Sequence, residues 1–337
     1  MKRTHLTKSY QLGALSTKHR MTSPDDYAAL HETAVIGAIA ARGQVAVAGP
    51  ERATFLHGLL TNDTASLIPG HGCYAAWLTP QGRMLSDLHV LESGDMMLLD
   101  VPATQVIEIA DRLEEFHFSE DVQIAVLDTL RSVWVHGPAA ARLLGHEEYG
   151  SWTQYHNARV QFAGVPVVIA RVDQLGVPGF VIFADAQQQD EVTRAIAAEG
   201  ALHATPATLE AARIEARYPI FGIDMTSDTI PLEAGIEDRA ISLTKGCYVG
   251  QEVIIRVLHR GHGRVARKLV RLEIEGETPS PSAKVFAGDR EIGFVTSAAQ
   301  SPRLGTVALG YLHRDFLTAG TAVEVDLGDV HARAVVS

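Results

Sequence analysis

The sequence has little cysteine, few aromatic residues and no long apolar run. Cys73 and Cys247 are its two cysteines in 337 residues, too few for a disulfide scaffold or for a full set of zinc or iron–sulfur ligands. No window approaches the roughly 18 consecutive apolar residues of a membrane helix, and the start shows no apolar signal-peptide core. We therefore expect a soluble cytoplasmic protein with two free thiols, no metal site of its own and no membrane contact.

Basic residues are also scarce relative to acidic ones. There are 29 Lys and Arg against 40 Asp and Glu, which gives a net charge of −11. A chain of this charge repels nucleic acid as a whole, so stable nucleic-acid binding is not expected. The composition is otherwise close to the globular average, and the length predicts two or three domains.

The order of strand-like and helix-like segments predicts an α+β protein. The apolar runs Cys73 to Leu78 and Met84 to Leu91 flank the turn Thr79-Pro80-Gln81-Gly82 and predict an antiparallel hairpin. A third run, a helix and another strand follow, and the same order recurs loosely before residue 200. A helix is predicted over residues 205–217, with Thr205 as its N-cap.

These segments suggest three parts of the chain. The first 22 residues are rich in Lys and Arg and show no apolar periodicity, so we expect a disordered extension, and either Met1 or Met21 is the true start. Residues 23–265 form a core of two α+β subdomains. From residue 266 to 337, short β-like runs alternate with Gly, Pro and Asp turns, which favours a small barrel or sandwich.

The densest group of reactive side chains is the octapeptide Lys245-Gly246-Cys247-Tyr248-Val249-Gly250-Gln251-Glu252. Lys245 can lower the pKa of the neighbouring Cys247 thiol by charge stabilisation, and the glycines permit a tight backbone that aims both groups into a cleft. The alternative is a glycine turn with a buried cysteine and solvated Lys and Glu. The residue types alone leave both interpretations open.

This octapeptide resembles the K-G-C-Y-x-G-Q-E motif of the folate-binding, YgfZ-type proteins in the glycine-cleavage T-protein (aminomethyltransferase) superfamily. Other segments resemble the same family in the same order: F-L-H-G-L-L-T-N-D (55–63), L-T-P-Q-G-R (78–83), R-I-E-A-R-Y-P (213–219), F-G-I-D (221–224), P-L-E-A (231–234) and G-F-V-T-S (293–297). The resemblance runs from about residue 30 to the end. It implies a T-protein-like ring of three domains around a folate cavity, built from two interleaved ferredoxin-like α+β units and a C-terminal β-barrel.

The resemblance also implies tetrahydrofolate, or a one-carbon derivative, as the cofactor. Asp87 looks like the strand acid that lies beside the reactive folate nitrogens in aminomethyltransferases, where it can accept or carry a proton. The alternative is an edge carboxylate that faces water. Asp87, Cys247 and Lys245 are therefore the candidate catalytic residues.

The candidate folate-binding residues are of three kinds: carboxylates that can accept from pterin N–H groups, an aromatic ring that can stack, and polar residues of the matching motifs. They are Glu215, Asp224, Glu233, Tyr248, Arg213, Gln251, Glu252 and Arg256. For Arg213 the alternative is a surface pair with Glu210 on the same helix.

Residues 256–271 contain five Arg, one Lys and two His and no acid. Such a segment in an acidic chain can hold an anion, and the glutamate tail of folate, a partner protein and an RNA backbone are the candidate occupants. Solvated linker charges are the alternative.

The function implied by the resemblance is that of a tetrahydrofolate-binding accessory protein that assembles or repairs iron–sulfur clusters in client enzymes, including tRNA-modifying enzymes. Cys247 would then donate a transient cluster ligand or act as a redox thiol. The alternative is an aminomethyltransferase that moves a one-carbon unit from a lipoyl-bound aminomethyl group to tetrahydrofolate. The residues leave open whether there is catalytic turnover. A purely anion- or RNA-binding module conflicts with the net charge.

Overall fold

The computed structural model describes residues 24–260 and 263–337, so the predicted extension over residues 1–22 lies outside the described residues. The helices are α1 (Pro24–Glu32), α2 (Arg52–Leu59), α3 (Val106–Glu115), α4 (Ala140–Leu143), α5 (Gln189–Ala198), α6 (Pro206–Glu215), α7 (Pro231–Ala234), α8 (Glu237–Ala240) and α9 (Gln251–Ile255). None of the helices in this part of the chain is long and apolar enough to cross a membrane.

The strands divide among two open sheets and one barrel. They are β1 (Val35–Ile36), β2 (Arg42–Ala48), β3 (Gly72–Leu78), β4 (Met84–Glu92), β5 (Met96–Pro102), β6 (Gln123–Val126), β7 (Leu130–His136), β8 (Asn157–Phe162), β9 (Val165–Arg171), β10 (Gly179–Asp185), β11 (Leu202–His203), β12 (Arg267–Ile274), β13 (Lys284–Ala287), β14 (Arg290–Ser301), β15 (Gly305–His313), β16 (Ala322–Asp326) and β17 (His331–Val336).

The first sheet has the strand order β3-β4-β5-β2-β6. The predicted hairpin is present, because β3 and β4 pair antiparallel with Ala76 opposite Asp87. Strand β4 also pairs with β5, so it is an interior strand. Asp87 is 2% exposed, and the alternative of an edge carboxylate facing water is therefore wrong.

The second sheet shows how the two α+β units are interleaved. Its order is β11-β1-β7-β10-β9-β8. Strand β1 precedes every strand of the first sheet, yet it pairs with β7 antiparallel and with β11 parallel. Strand β1 thus belongs to the second sheet, the next strands form the first sheet, and the chain then completes the second sheet. Buried residues from both sheets share one apolar core that includes Tyr74 and Trp134.

The C-terminal strands close a six-stranded barrel in the order β12-β15-β14-β13-β16-β17. Alternate residues such as Val323 and Val325 point inward, as the period-two pattern predicts. The sequence analysis did not identify β13, which is only four residues long. Helix α6, capped as predicted by the Thr205 side chain, joins Ala211 and Ile214 to apolar residues of β14 and β15. The predicted α+β fold with a C-terminal barrel is confirmed.

Candidate functional site

The octapeptide loop is fixed against the hairpin turn between β3 and β4. Gly250 has a φ of +84°, and a Cβ added there would lie 2.5 Å from the Thr79 carbonyl oxygen. Gly82 has a φ of +75°, and its Cβ would lie 2.9 Å from the Cβ of Val253. Both positions require glycine because the two turns meet at van der Waals distance with left-handed backbone. The loop that carries Cys247 is thus held by the first sheet.

Lys245 anchors the same loop from the other side. Its Nζ donates hydrogen bonds to the carbonyls of His57 (2.5 Å), Leu60 (2.6 Å) and Asn62 (3.0 Å). The first two carbonyls belong to the end of α2, where a cation is favourable. Burial lowers the pKa of Lys245 to about 8. The alternative of a solvated lysine is therefore wrong.

The two thiols have opposite environments. Cys247 is exposed and Cys73 is buried, so the alternative of a buried Cys247 is wrong. Burial raises the pKa of Cys73 to about 12, against a smaller opposite effect of the Lys245 ammonium. The charge of Lys245 thus acts on Cys73, and activation of Cys247 by Lys245 stays a prediction.

The remaining octapeptide residues separate into buried and exposed ones. Tyr248 is buried, its ring lies under the Lys245 ammonium (5.0 Å), and its hydroxyl has no hydrogen-bond partner among the described residues. Glu252 is exposed and forms a 2.7 Å ion pair with the exposed Arg256. Such surface pairs contribute little. Gln251 starts α9. Of the predicted folate-binding residues in this loop, only Tyr248 joins the shared apolar core.

Asp87 belongs to a buried group of polar and aromatic side chains that we call the central cluster. Its members are Arg42, Tyr74, Asp87, His89, Asp100, Trp134, Tyr155, Gln174, Tyr218 and Arg239. The Tyr74 hydroxyl donates to Asp87 Oδ2 (2.9 Å), and Arg42 Nη1 donates to Asp87 Oδ1 (3.4 Å). Both oxygens of the candidate catalytic carboxylate therefore have a partner.

A second carboxylate orients the histidine of the cluster. Arg42 Nε donates to Asp100 Oδ2 (2.6 Å), and His89 Nδ1 lies 2.9 Å from the same oxygen. Burial and the Arg42 charge lower the pKa of His89, so the neutral ring donates from Nδ1 to Asp100. Burial raises the pKa of Asp100, but the Arg42 charge and the His89 hydrogen bond together outweigh burial and lower this pKa. The bare Nε2 of His89 can then accept from the Tyr218 hydroxyl, 3.3 Å away.

Arg239, on α8, differs from the other charged members of the cluster. Its guanidinium lies 4.2 Å from the Tyr218 ring centroid and 4.9 Å from that of Tyr74. Among the described residues it forms no ion pair and donates no side-chain hydrogen bond. Two further atoms of the cluster, Trp134 Nε1 and Gln174 Oε1, are buried without a partner in the described part of the chain. The cluster therefore contains unused donors and an unused acceptor.

Sequence reasoning missed most of this cluster. Asp100 carried a usable signal, because an acid interrupts the apolar run Met96 to Val101. Arg42 and Arg239 lie 197 positions apart in the chain and had no signal of their own. They lie in one cluster with Asp87 only because the interleaved sheets and α8 converge.

The other predicted acids lie at the junction between the core and the barrel, each beside an arginine. Arg303 pairs with Glu215 (2.7 Å), and Arg267 pairs with Glu233 (3.4 Å). Asp224 is 1% exposed and pairs with Arg213 (2.8 Å). Pterin binding by these acids stays a prediction, since each already has a cationic partner.

Arg213 is fully buried and connects helix α6 to strand β14 of the barrel. It pairs with Glu210 as expected (2.6 Å), but it also donates to Asp224 and to Ser297 Oγ of β14 (2.7 Å). The Ser297 hydroxyl donates to Asp224 Oδ1 (2.6 Å). The alternative of a surface pair is therefore wrong for Arg213.

The basic segment over residues 256–271 is partly neutralised. Lys268 pairs with Glu237 (2.8 Å), and Arg271 pairs with Glu273 (3.0 Å). The side chains of Arg260 and His262 lie outside the described residues. A surface groove of about 370 Å³ is lined by Gly263, Arg264, Val265, Lys268, Arg314, Asp315 and Leu317. The anion site predicted for this segment is thus reduced to a groove with three cations and one acid.

The chain, with its α+β core and closed barrel, matches known proteins over nearly its whole length. The GCVT N-terminal domain matches residues 8–245, and the glycine cleavage T-protein C-terminal barrel domain matches residues 267–337. The aminomethyltransferase of Saccharopolyspora erythraea is 30% identical over 302 residues, covering 85% of this chain and 80% of that protein. The aminomethyltransferase of Bacillus subtilis is 29% identical over 297 residues, covering 85% and 81%.

A solved structure shares the fold. The glycine cleavage system aminomethyltransferase T from Bartonella henselae matches with a TM-score of 0.83 at 22% identity, covering 94% of this chain and 90% of that chain. The chain belongs to the glycine cleavage T-protein family. These matches support the superfamily part of the sequence interpretation, whereas the YgfZ-type branch rests on the octapeptide alone.

Proposed function

We propose that this protein binds tetrahydrofolate at the central cluster and transfers a one-carbon unit in the manner of its relatives named aminomethyltransferase. Family membership over both the core and the barrel supports the folate ligand. The proposal rests on two buried polar atoms, Trp134 Nε1 and Gln174 Oε1, which have no partner among the described residues and lie in a cluster of aromatic side chains. This assigns the function that the sequence analysis treated as the alternative.

The residues of the cluster fit a flat heterocycle with donors and acceptors on its edge. Tyr74, Tyr155, Tyr218 and Trp134 line the cluster with aromatic rings, the kind of side chain that packs favourably against a flat ligand. In the described part of the chain, the donor Trp134 Nε1 and the acceptor Gln174 Oε1 have no partner. Each buried unpaired polar atom costs about 1–3 kcal/mol, so a ligand that pairs them is stabilised by the same amount.

When bound, tetrahydrofolate supplies the nitrogens that carry the one-carbon unit. The side chains of this chain position it and move protons. Asp87 is fixed by Tyr74 and Arg42, so it can accept a proton at a defined position. Asp100 holds His89 in one tautomer. Both Asp87 and His89 are buried, so water is excluded from them.

Calorimetry with tetrahydrofolate and an assay of transfer from an aminomethyl-lipoyl carrier test this function. Asp87→Asn should lower the transfer rate by roughly 10²- to 10⁴-fold and leave the folate Kd within a few-fold. Asp95→Asn, which removes an exposed carboxylate paired with Arg159, is the matched control and should change neither. Absence of saturable binding by the wild type would reject the whole proposal, and binding without transfer would reject the transferase activity.

A second function, assembly or repair of iron–sulfur clusters in client enzymes such as tRNA-modifying enzymes, is favoured by one specific observation. Cys247 is exposed on a loop that Lys245 and the Gly250 contact hold in place. An accessible thiol on a fixed loop suits a ligand shared with a partner protein.

Cells that lack the protein distinguish the two functions. Under the assembly function, Cys247→Ala should fail to restore the activity of client cluster enzymes while keeping full aminomethyl transfer in vitro. Asp87→Asn should show the reverse. Restoration of client activity by Cys247→Ala would remove the assembly function.

A further inference from the structure

Three arginines lie in or beside the buried core, and their guanidinium groups differ in how they are satisfied. Arg42 donates to Asp100 and Asp87, and Arg213 donates to Glu210, Asp224 and Ser297. Arg239 has neither an acid nor a hydrogen-bond acceptor among the described residues, and two tyrosine rings hold its flat face. Within the described residues, the Arg239 guanidinium therefore forms no ion pair and donates no hydrogen bond.

We propose that Arg239 binds a carboxylate of the ligand in the central cluster. The inference rests on the proposed function of this site and adds the residue that recognises the ligand's negative charge. A carboxylate is the acceptor whose two oxygens match the planar fork of a guanidinium. It comes either from the glutamate of folate itself or from a second, small substrate.

The surroundings of Arg239 favour an incoming acceptor over an internal one. The Asp87 oxygens already accept from Arg42 and Tyr74, so this acid acts on Arg239 only through space. The Tyr218 and Tyr74 rings keep the guanidinium in one plane, which reduces the conformational entropy lost when a ligand binds. The side chain is half-buried, so the charge-assisted pair would form in a region of reduced screening.

Three probes and three variants test the assignment. The probes are tetrahydrofolate, tetrahydrobiopterin, which has a reduced pterin ring without a carboxylate, and acetate. The variants are Arg239→Met, Arg239→Lys and, as a control, Arg112→Met, which removes an exposed arginine paired with Glu108 on α3. Calorimetry measures the binding of the two pterins, and saturation-transfer NMR measures the binding of acetate.

The Met variant should weaken the binding of tetrahydrofolate by roughly 10- to 100-fold, the range expected for a charge-assisted hydrogen bond. The Lys variant should recover part of that loss, and tetrahydrobiopterin should change by less than about threefold because it carries no carboxylate for the guanidinium to bind. The control variant should match the wild type. If Arg239→Met affects acetate but not tetrahydrofolate, the carboxylate belongs to a second substrate.

Equal weakening of tetrahydrofolate and tetrahydrobiopterin would overturn the assignment, because it would indicate a packing role. So would unchanged binding of both tetrahydrofolate and acetate. A wild type that binds acetate through Arg239 but no folate would refute the proposed function and retain this inference. A wild type that binds neither would refute both. If the Met variant fails to fold, the Lys variant still decides, since loss of the bidentate fork should weaken tetrahydrofolate selectively.

Discussion

The central cluster and the junction between α6 and the barrel both bury arginine and aspartate, but they satisfy them differently. At the junction, Arg213, Asp224 and Ser297 satisfy one another through short hydrogen bonds. In the central cluster, Trp134 Nε1 and Gln174 Oε1 are buried without a hydrogen-bond partner among the described residues. Buried polar groups in native proteins are nearly always paired, so the exceptions point to where a ligand binds.

The comparison assigns different roles to similar residues. The charged side chains of the junction hold α6 against β14, and removing one of them should destabilise the folded protein. The cluster holds its charges ready for a ligand, and its residues should affect binding more than stability. The predictions below test this difference, from the largest expected effect on stability to the smallest.

Asp224→Asn should give the largest loss of stability. It removes the fully buried carboxylate that pairs with the buried Arg213, and breaking one side of a buried ion pair costs roughly 3–5 kcal/mol. Urea unfolding at pH 7 measures this loss as the difference in unfolding free energy between the variant and the wild type. Asp228→Asn, which breaks an exposed pair with Arg83, is the control and should cost less than about 0.5 kcal/mol. Equal effects of the two variants would contradict the structural role of the junction.

His136 should make the protein sensitive to acid. It is fully buried beside Trp134, donates from Nε2 to the Gly37 carbonyl (3.1 Å) and has an unpartnered Nδ1 within the described residues. Burial lowers its pKa from 6.5 to about 4. The unfolded chain therefore binds a proton that the folded chain does not, and stability is lost as the pH falls from 6.5 towards 4.

The expected loss from this group is roughly 2–3 kcal/mol by pH 4.5, following from the shift by linkage. His136→Gln can keep the hydrogen bond to Gly37 and should remove this part of the pH dependence, which is measured as the difference in unfolding free energy between pH 7 and pH 4.5. His203→Gln, at an exposed position, should leave the slope unchanged. A slope unaltered by His136→Gln would show that other groups cause the acid sensitivity.

Cys247→Ala should have the smallest effect on stability, less than about 0.5 kcal/mol, because the thiol is exposed. In the folded protein at pH 8, iodoacetamide should modify Cys247, whereas Cys73 should react only after unfolding because burial blocks access and raises its pKa to about 12. Mass spectrometry of the labelled peptides measures both. Equal labelling rates in the folded protein would show that the two thiols are not in different environments.

Local patterns in the sequence predicted much of the fold. The β3–β4 hairpin followed from two apolar runs around a proline-glycine turn, and Thr205 capped the helix where a threonine before a proline predicts it. The short β13 escaped notice because four residues carry too little periodicity. The ion pair between Arg213 and Asp224 was not predicted, because the sequence interpretation took Asp224 as a candidate pterin acceptor and offered only Glu210 as a partner for Arg213.

Local sequence patterns were enough to predict the α+β class, the C-terminal barrel, the family and the octapeptide loop with its thiol, because these depend on periodicity and on neighbouring residues. The folded chain was needed to show that Lys245 caps α2 and affects Cys73, that Asp87 is buried, and that Arg239 meets Tyr74 and Tyr218 with no acid paired to it among the described residues. The physical reason is distance along the chain. The Lys245–His57 hydrogen bond spans 188 positions and the Arg42–Asp87 bond spans 45; both join different elements, and no local pattern records them.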